Sequence, residues 1–147
     1  MRVAHYSSIY REKCIDIFKS NAPTFFAPDE LKIFENFLDH YSRDSYFVVI
    51  NNGELVGCGG IFLDHRTGEA GLSWGMIHAQ MHNKGIGKFF TDYRIALLRN
   101  LYPGKTYKIE TSQHTFKFYK NRGFVTIGII LDGFGEGIDK YTMELRD

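Results

Sequence analysis

The segment His82-Asn83-Lys84-Gly85-Ile86-Gly87-Lys88 sets two glycines one residue apart, with a lysine on either side. It lies between a strand-like run and a helix-like run, which makes it suited to an anion. A helix N-terminus offers N–H donors without intrahelical partners and a partial positive charge. Residues without Cβ let those amides approach phosphate oxygens, and Lys84 and Lys88 add mobile positive charge. Two phosphate motifs do not fit. A P-loop needs Gly-x-x-x-x-Gly-Lys followed by Ser or Thr, whereas the chain has His82 and Phe89 at the deciding positions. A dinucleotide fingerprint needs a third glycine where Phe90 stands. A second candidate is Gly71-Leu72-Ser73-Trp74-Gly75, which matches the Gly-x-Ser-x-Gly elbow of serine hydrolases, with Asp92 and His114 following in triad order. The histidines are scattered, and His78 and His82 straddle an expected strand end rather than one helix face, so no metal is expected.

These groups can act only if the elements around them hold them together. Arg2 to Tyr6 reads as a strand, and Arg11 to Asn21 as a helix with Cys14, Ile15 and Phe18 on one face. Pro23 and Pro28 interrupt the chain before a second helix, Asp29 to Tyr41. Tyr46 to Ile50 is β-rich, and Asn52-Gly53 marks a hairpin into a strand that runs to Leu63. Asp64 to Gly68 is a turn, and Ala70 to Ile77 a further strand, so the middle of the chain is an antiparallel meander. Gly85 to Leu101 is helical, with Phe90, Tyr93, Leu97 and Leu101 as the expected buried stripe. Lys105 to Thr111 is a strand, and Thr115 to Arg122 a short helix stopped by Gly123. Phe124 to Leu131 and Lys140 to Leu145 are closing strands on either side of a loop, Asp132 to Asp139. The order is βααβββαβαββ, an α/β or α+β sheet with helices on its faces.

In this setting the stretch from Ala70 to Phe90 resembles strand four, the pyrophosphate loop and helix three of the GCN5-related N-acetyltransferase (GNAT) family. That family's acetyl-CoA motif is Arg/Gln-x-x-Gly-x-Gly/Ala; the first position here is His82. A second stretch, Thr111 to Phe124 with Phe118-Tyr119-x-x-x-Gly123-Phe124, is similar to the family's helix-four signature. The resemblance implies a mixed, mostly antiparallel central sheet flanked by helices, in one domain over residues 1–147. It implies acetyl-CoA as cosubstrate and direct transfer of the acetyl group to a primary amine of a small molecule or peptide. By carry-over, the backbone of Gly75, Met76 and Ile77 pairs with the pantetheine arm. His82, Asn83, Lys84, Gly85, Ile86, Gly87 and Lys88 form the pyrophosphate loop, and Ser112 lies near the pantetheine. Tyr119 aligns with the tyrosine that protonates the departing thiolate. Many members carry a base, Glu, where this chain has Gly71, which leaves Glu69 and Glu110 as candidate bases. Phe25 and Phe26 fall at the acceptor mouth, and the Asp132–Asp139 loop offers three acids to a cationic amine.

Composition bounds these readings. The 147 residues carry 18 Lys plus Arg against 17 Asp plus Glu, a net charge of +1, which argues against bulk binding to nucleic acid or anionic membrane. Aromatic residues make up 16%, enough to fill a core and line a cleft as well. Two cysteines without CxxC spacing point to a reducing, cytoplasmic setting. No apolar run approaches the ~20 residues of a membrane span. A monomer or homodimer is expected. The alternatives are a non-catalytic acyl-CoA-binding sensor of the same fold and, behind it, a serine hydrolase acting through Ser73.

Overall fold

The computed structural model describes residues 1–146. The chain forms β1 (Arg2–His5), α1 (Arg11–Asn21), α2 (Glu30–His40), β2 (Tyr46–Asn51), β3 (Glu54–Leu63), β4 (Ala70–Ile77), α3 (Ile86–Leu101), β5 (Tyr107–Thr111), α4 (Phe116–Asn121), β6 (Phe124–Gly135) and β7 (Ile138–Leu145). The order of elements is the one expected from the sequence. Asn52 and Gly53 both take positive φ, +52° and +79°, as a tight hairpin between twisted strands requires.

The strands make one seven-stranded sheet in the order β1-β2-β3-β4-β5-β7-β6. Every pair is antiparallel except β4–β5. Side chains of β2 alternate between two apolar layers. Tyr46, Val48 and Ile50 join Phe18, Phe34 and Leu38 of α1 and α2, whereas Phe47 and Val49 join Phe90 and Leu98 of α3. Burial on both faces is why this strand reads as an unbroken apolar run.

Two features position a cleft. Strands β4 and β5 pair only at Ala70↔Tyr107 and Gly71↔Lys108 and then part, leaving the rest of β4 without a strand neighbour on that side. In addition, β4 bulges against β3. Cys58 pairs with Met76 and Gly60 with Ser73, so Trp74 and Gly75 together oppose Gly59. Trp74 takes φ +45°, a conformation that a bulky residue adopts only when its surroundings enforce it. Here the Tyr46 hydroxyl donates to the Trp74 carbonyl at 2.8 Å, and the indole packs against Phe26, Phe34 and Phe37.

Two expectations are corrected. The buried stripe of α3 is Ile86, Phe90, Arg94 and Leu98, while Tyr93 and Leu101 are exposed. The sequence pattern favoured the apolar positions and passed over a charged one. The Asp132–Asp139 segment is largely strand and turn, because β6 runs on to Gly135 and β7 starts at Ile138. Two of its three acids are held inside the hairpin: Asp139 accepts from the Asp132 amide at 2.9 Å and Asp132 from the Gly137 amide at 2.8 Å. These two acids tie the hairpin together.

Candidate active site

The parting of β4 and β5 opens a cavity of about 1090 Å³ that reaches from the start of α3 to the segment between α1 and α2. Its floor is the bulged backbone of Trp74, Gly75 and Met76. At one end stands the glycine turn. Asn83 and Gly85 are both left-handed, with φ +62° and +82°, and Gly85 caps α3 without a side-chain bond. Left-handed residues within a turn gather backbone N–H groups into a concave anion site, and the first amides of α3 have no intrahelical acceptor. Asn83, Gly85, Gly87 and Lys88 line the cavity, and Lys84 is exposed beside them.

His82, in place of the expected Arg or Gln, turns back on the strand. Its Nε2 lies 2.9 Å from the Ile77 carbonyl, which as an acceptor fixes a proton on that nitrogen. The same carbonyl accepts from the Asn21 side-chain Nδ2 at 2.9 Å. Both lone pairs of Ile77 O are therefore engaged, and the end of β4 is tied to α1 and to the glycine turn. Phe25 stands edge-on to both His82 and His114, at 5.3 and 6.0 Å, and so bridges the two sides of the cleft. Phe26 lines the cavity and stacks on Phe18 at 5.0 Å.

Tyr119 and Ser112 line the other wall. The Tyr119 ring packs edge-on against Phe118 and Phe124 and belongs to the core on the α3 side. It is a packing ring that also faces the cavity, so the structural and chemical readings of Tyr119 are compatible. Ser112 is buried, and its hydroxyl accepts from the His114 amide at 3.2 Å.

The carboxylates divide by partner. Glu69 is ion-paired with Lys108, which also reaches Glu144 at 3.7 Å. Glu110 pairs with Lys140 at 3.3 Å, and its side chain is 57% exposed. Both line the cavity. Glu30 lines it too, a residue the sequence reading did not single out. Its carboxylate accepts from the Ala27 amide at 2.9 Å, which ties the start of α2 to the segment before it. Burial raises its pKa and that hydrogen bond opposes the rise. No local pattern in the sequence marks Glu30 as a cleft residue, because its place in the wall depends on how α2 packs.

Gly71 answers why the usual glutamate is missing. A Cβ there would lie 2.0 Å from the Lys108 carbonyl and 2.6 Å from the Phe62 ring. This is the point where β4 and β5 touch, so no side chain fits. The hydrolase alternative finds no support, since Met76 and Ile77 continue the strand and the next α-helix starts only at Ile86. Ser73 sits within β4 rather than at a strand-to-helix turn, and its buried hydroxyl has no hydrogen-bond partner to act as base.

A splayed β4–β5 pair, a bulged floor, an amide-lined turn and a tyrosine thus share one cavity. The Acetyltransferase (GNAT) family model matches residues 11–124. The chain belongs to the GNAT family. GNAT members are acyltransferases that use acetyl-CoA, which favours an enzyme over a sensor of the same fold. Solved structures share the GNAT fold at low identity. Ard1 from Thermoplasma volcanium is 18% identical with a TM-score of 0.78, covering 99% of this chain and 98% of its own. A ribosomal-protein-alanine N-acetyltransferase from Brucella melitensis is 16% identical with a TM-score of 0.77, covering 98% of each. An aminoglycoside 6'-N-acetyltransferase in complex with coenzyme A is 13% identical with a TM-score of 0.76, covering 98% and 96%. Comparison with curated protein sequences gives no significant match. Among the described residues no helix is long and apolar enough to cross a membrane.

Proposed function

We propose that this GNAT protein transfers the acetyl group of acetyl-CoA directly to a primary amine of a small molecule or peptide. The observation that carries the reading is that the glycine turn, the free edge of β4 and Tyr119 all line one cavity. In this reading the amides of Asn83 to Lys88 hold the diphosphate, with Lys84 and Lys88 adding charge. The pantetheine pairs with Gly75, Met76 and the N–H of Ile77, since the Ile77 carbonyl is already engaged. His82 acts as a brace for the turn. Ser112 flanks the arm, and Tyr119 protonates the sulfur as the C–S bond breaks.

The acceptor amine enters past Phe25 and Phe26. An alkylamine of pKa near ~10.4 must shed a proton to attack, at a cost of roughly 4–5 kcal/mol at pH 7. Glu69 and Glu110 can take that proton only while sharing their charge with Lys108 and Lys140. Glu30 has no such cation among the described residues, and burial moves its pKa in the direction a base needs. These three carboxylates are the candidate bases. The neighbours' printed names cover both protein and small-molecule amines, which leaves the acceptor class to experiment.

The test is multiple-turnover release of CoA from acetyl-CoA with polyamines, peptides with a free N-terminus and aminoglycosides, each set against a neutral amine. Turnover with one class above the control supports the reading. Absence of CoA binding by calorimetry to the folded protein overturns it.

A further inference from the structure

Arg94 is 2% exposed, yet it occupies the middle of the apolar ladder Ile86–Phe90–Arg94–Leu98 on α3. The fold makes room for it. A Cβ on Gly75 would lie 2.6 Å from Nη2, and one on Gly59 would lie 2.9 Å from Cζ and Nη1. The guanidinium therefore fills the hole left by the two glycines that face each other across the β4 bulge. Its polar contacts are few. Nη1 donates to the Gly60 carbonyl at 3.1 Å, Cζ lies 4.8 Å above the Phe90 ring, and Nε has no partner. No carboxylate pairs with it among the described residues.

A buried cation without a counter-ion is costly unless something else supplies negative charge. Burial lowers the pKa of Arg94, opposed by Tyr119 of α4, then Tyr46 of β2, with Cys58 of β3 contributing, but a hydroxyl or thiol that keeps its proton is no counter-ion. From β4 it meets the backbone at Gly75. Arg94, Gly75 and Tyr119 all line the cavity. The reaction creates an anion in that cavity. The amine nitrogen forms the C–N bond, and the C–S electron pair leaves on sulfur. The Tyr119 proton passes to sulfur, and the proton released by the acetylated nitrogen goes to base or solvent, from which the phenolate is restored.

We propose that Arg94 is the cationic half of the leaving-group site, stabilising the departing thiolate in the cavity that Tyr119 also lines. A fixed charge in a poorly solvated floor stabilises developing charge without reorganising. The proposal rests on the reading that CoA binds with its sulfur toward Tyr119.

Coenzyme A and desulfo-CoA, which lacks the thiol, separate the two claims without needing the acceptor. Their affinities are measured by calorimetry between pH 7 and pH 10 for the wild type, Arg94→Lys and Arg94→Met. The expected result is that CoA gains on desulfo-CoA by roughly ten-fold as the thiol ionises, since a nearby fixed cation favours thiolate. Arg94→Lys should keep most of that gain, and Arg94→Met should lose it while desulfo-CoA affinity stays unchanged. A wild-type affinity ratio that does not move with pH overturns the proposal even if Arg94→Met does not fold. So does an Arg94→Met protein that folds and keeps the gain. Failure of both ligands to bind overturns the acetyl-CoA reading instead.

Discussion

Tyr119 combines core packing with a place in the cavity wall. The ring fills the core beside Phe118 and Phe124, and the hydroxyl is available to the cavity. Tyr119→Phe keeps the packing and removes the proton. Turnover should fall roughly ten-fold or more with CoA affinity unchanged, as read by steady-state kinetics and calorimetry. Glu30 allows a signed prediction. A carboxyl whose folded pKa is raised favours the folded state most below its unfolded pKa, near ~4.3, and that contribution is lost as pH rises through the folded value. Denaturant melts should show wild type losing stability relative to Glu30→Gln as pH rises from about 4 toward neutral. If Glu30 is also the base, the acidic limb of the rate profile disappears in Glu30→Gln and persists in Glu69→Gln and Glu110→Gln.

Among the elements, the contact between β4 and β5 is the point on which the cleft depends. It consists of two residue pairs, and Gly71 lies in one of them. Gly71→Ala should cost about 1–3 kcal/mol by urea unfolding, because the new methyl meets the Lys108 backbone rather than a side chain that could move aside. Restoring the family's glutamate at that position should do more harm. The strands, the first helix and the hairpin were legible because their signals are local: Asn52-Gly53 for the turn, and Cys14, Ile15 and Phe18 on one helix face. The bulge at Trp74 was not legible. It depends on the register between β3 and β4 and on a hydrogen bond from Tyr46, 28 residues away.

For the whole molecule, CoA binding should stabilise the fold by mass action. At a concentration about a hundred times Kd the gain is ~2.7 kcal/mol, visible as a rise in Tm. The ligand would contact several elements at once, since the cavity touches α1, β4, α3, β5 and α4. A Tm that ignores saturating CoA would contradict the cleft's assignment. The edge strand β6 exposes Val125, Ile127, Ile129, Ile130 and Leu131, and the register shift between Thr126 and Gly128 spreads them over both faces.

Spacing along the chain was enough to determine the order of elements, the glycine turn before a helix and the pairing of two motifs that mark the family. These are near-neighbour effects of backbone preference and side-chain periodicity, so a linear reading captures them. What tertiary structure decided is which charges are spent and which are free. Glu69 and Glu110 acquire lysine partners from other strands, Glu30 moves into the cleft wall, and Gly71 proves to be sterically compelled. Arg94 is the clearest case. A charged residue in an apolar stripe looks like an interruption on paper, and only the hole between Gly59 and Gly75 gives its cation a place beneath the cavity.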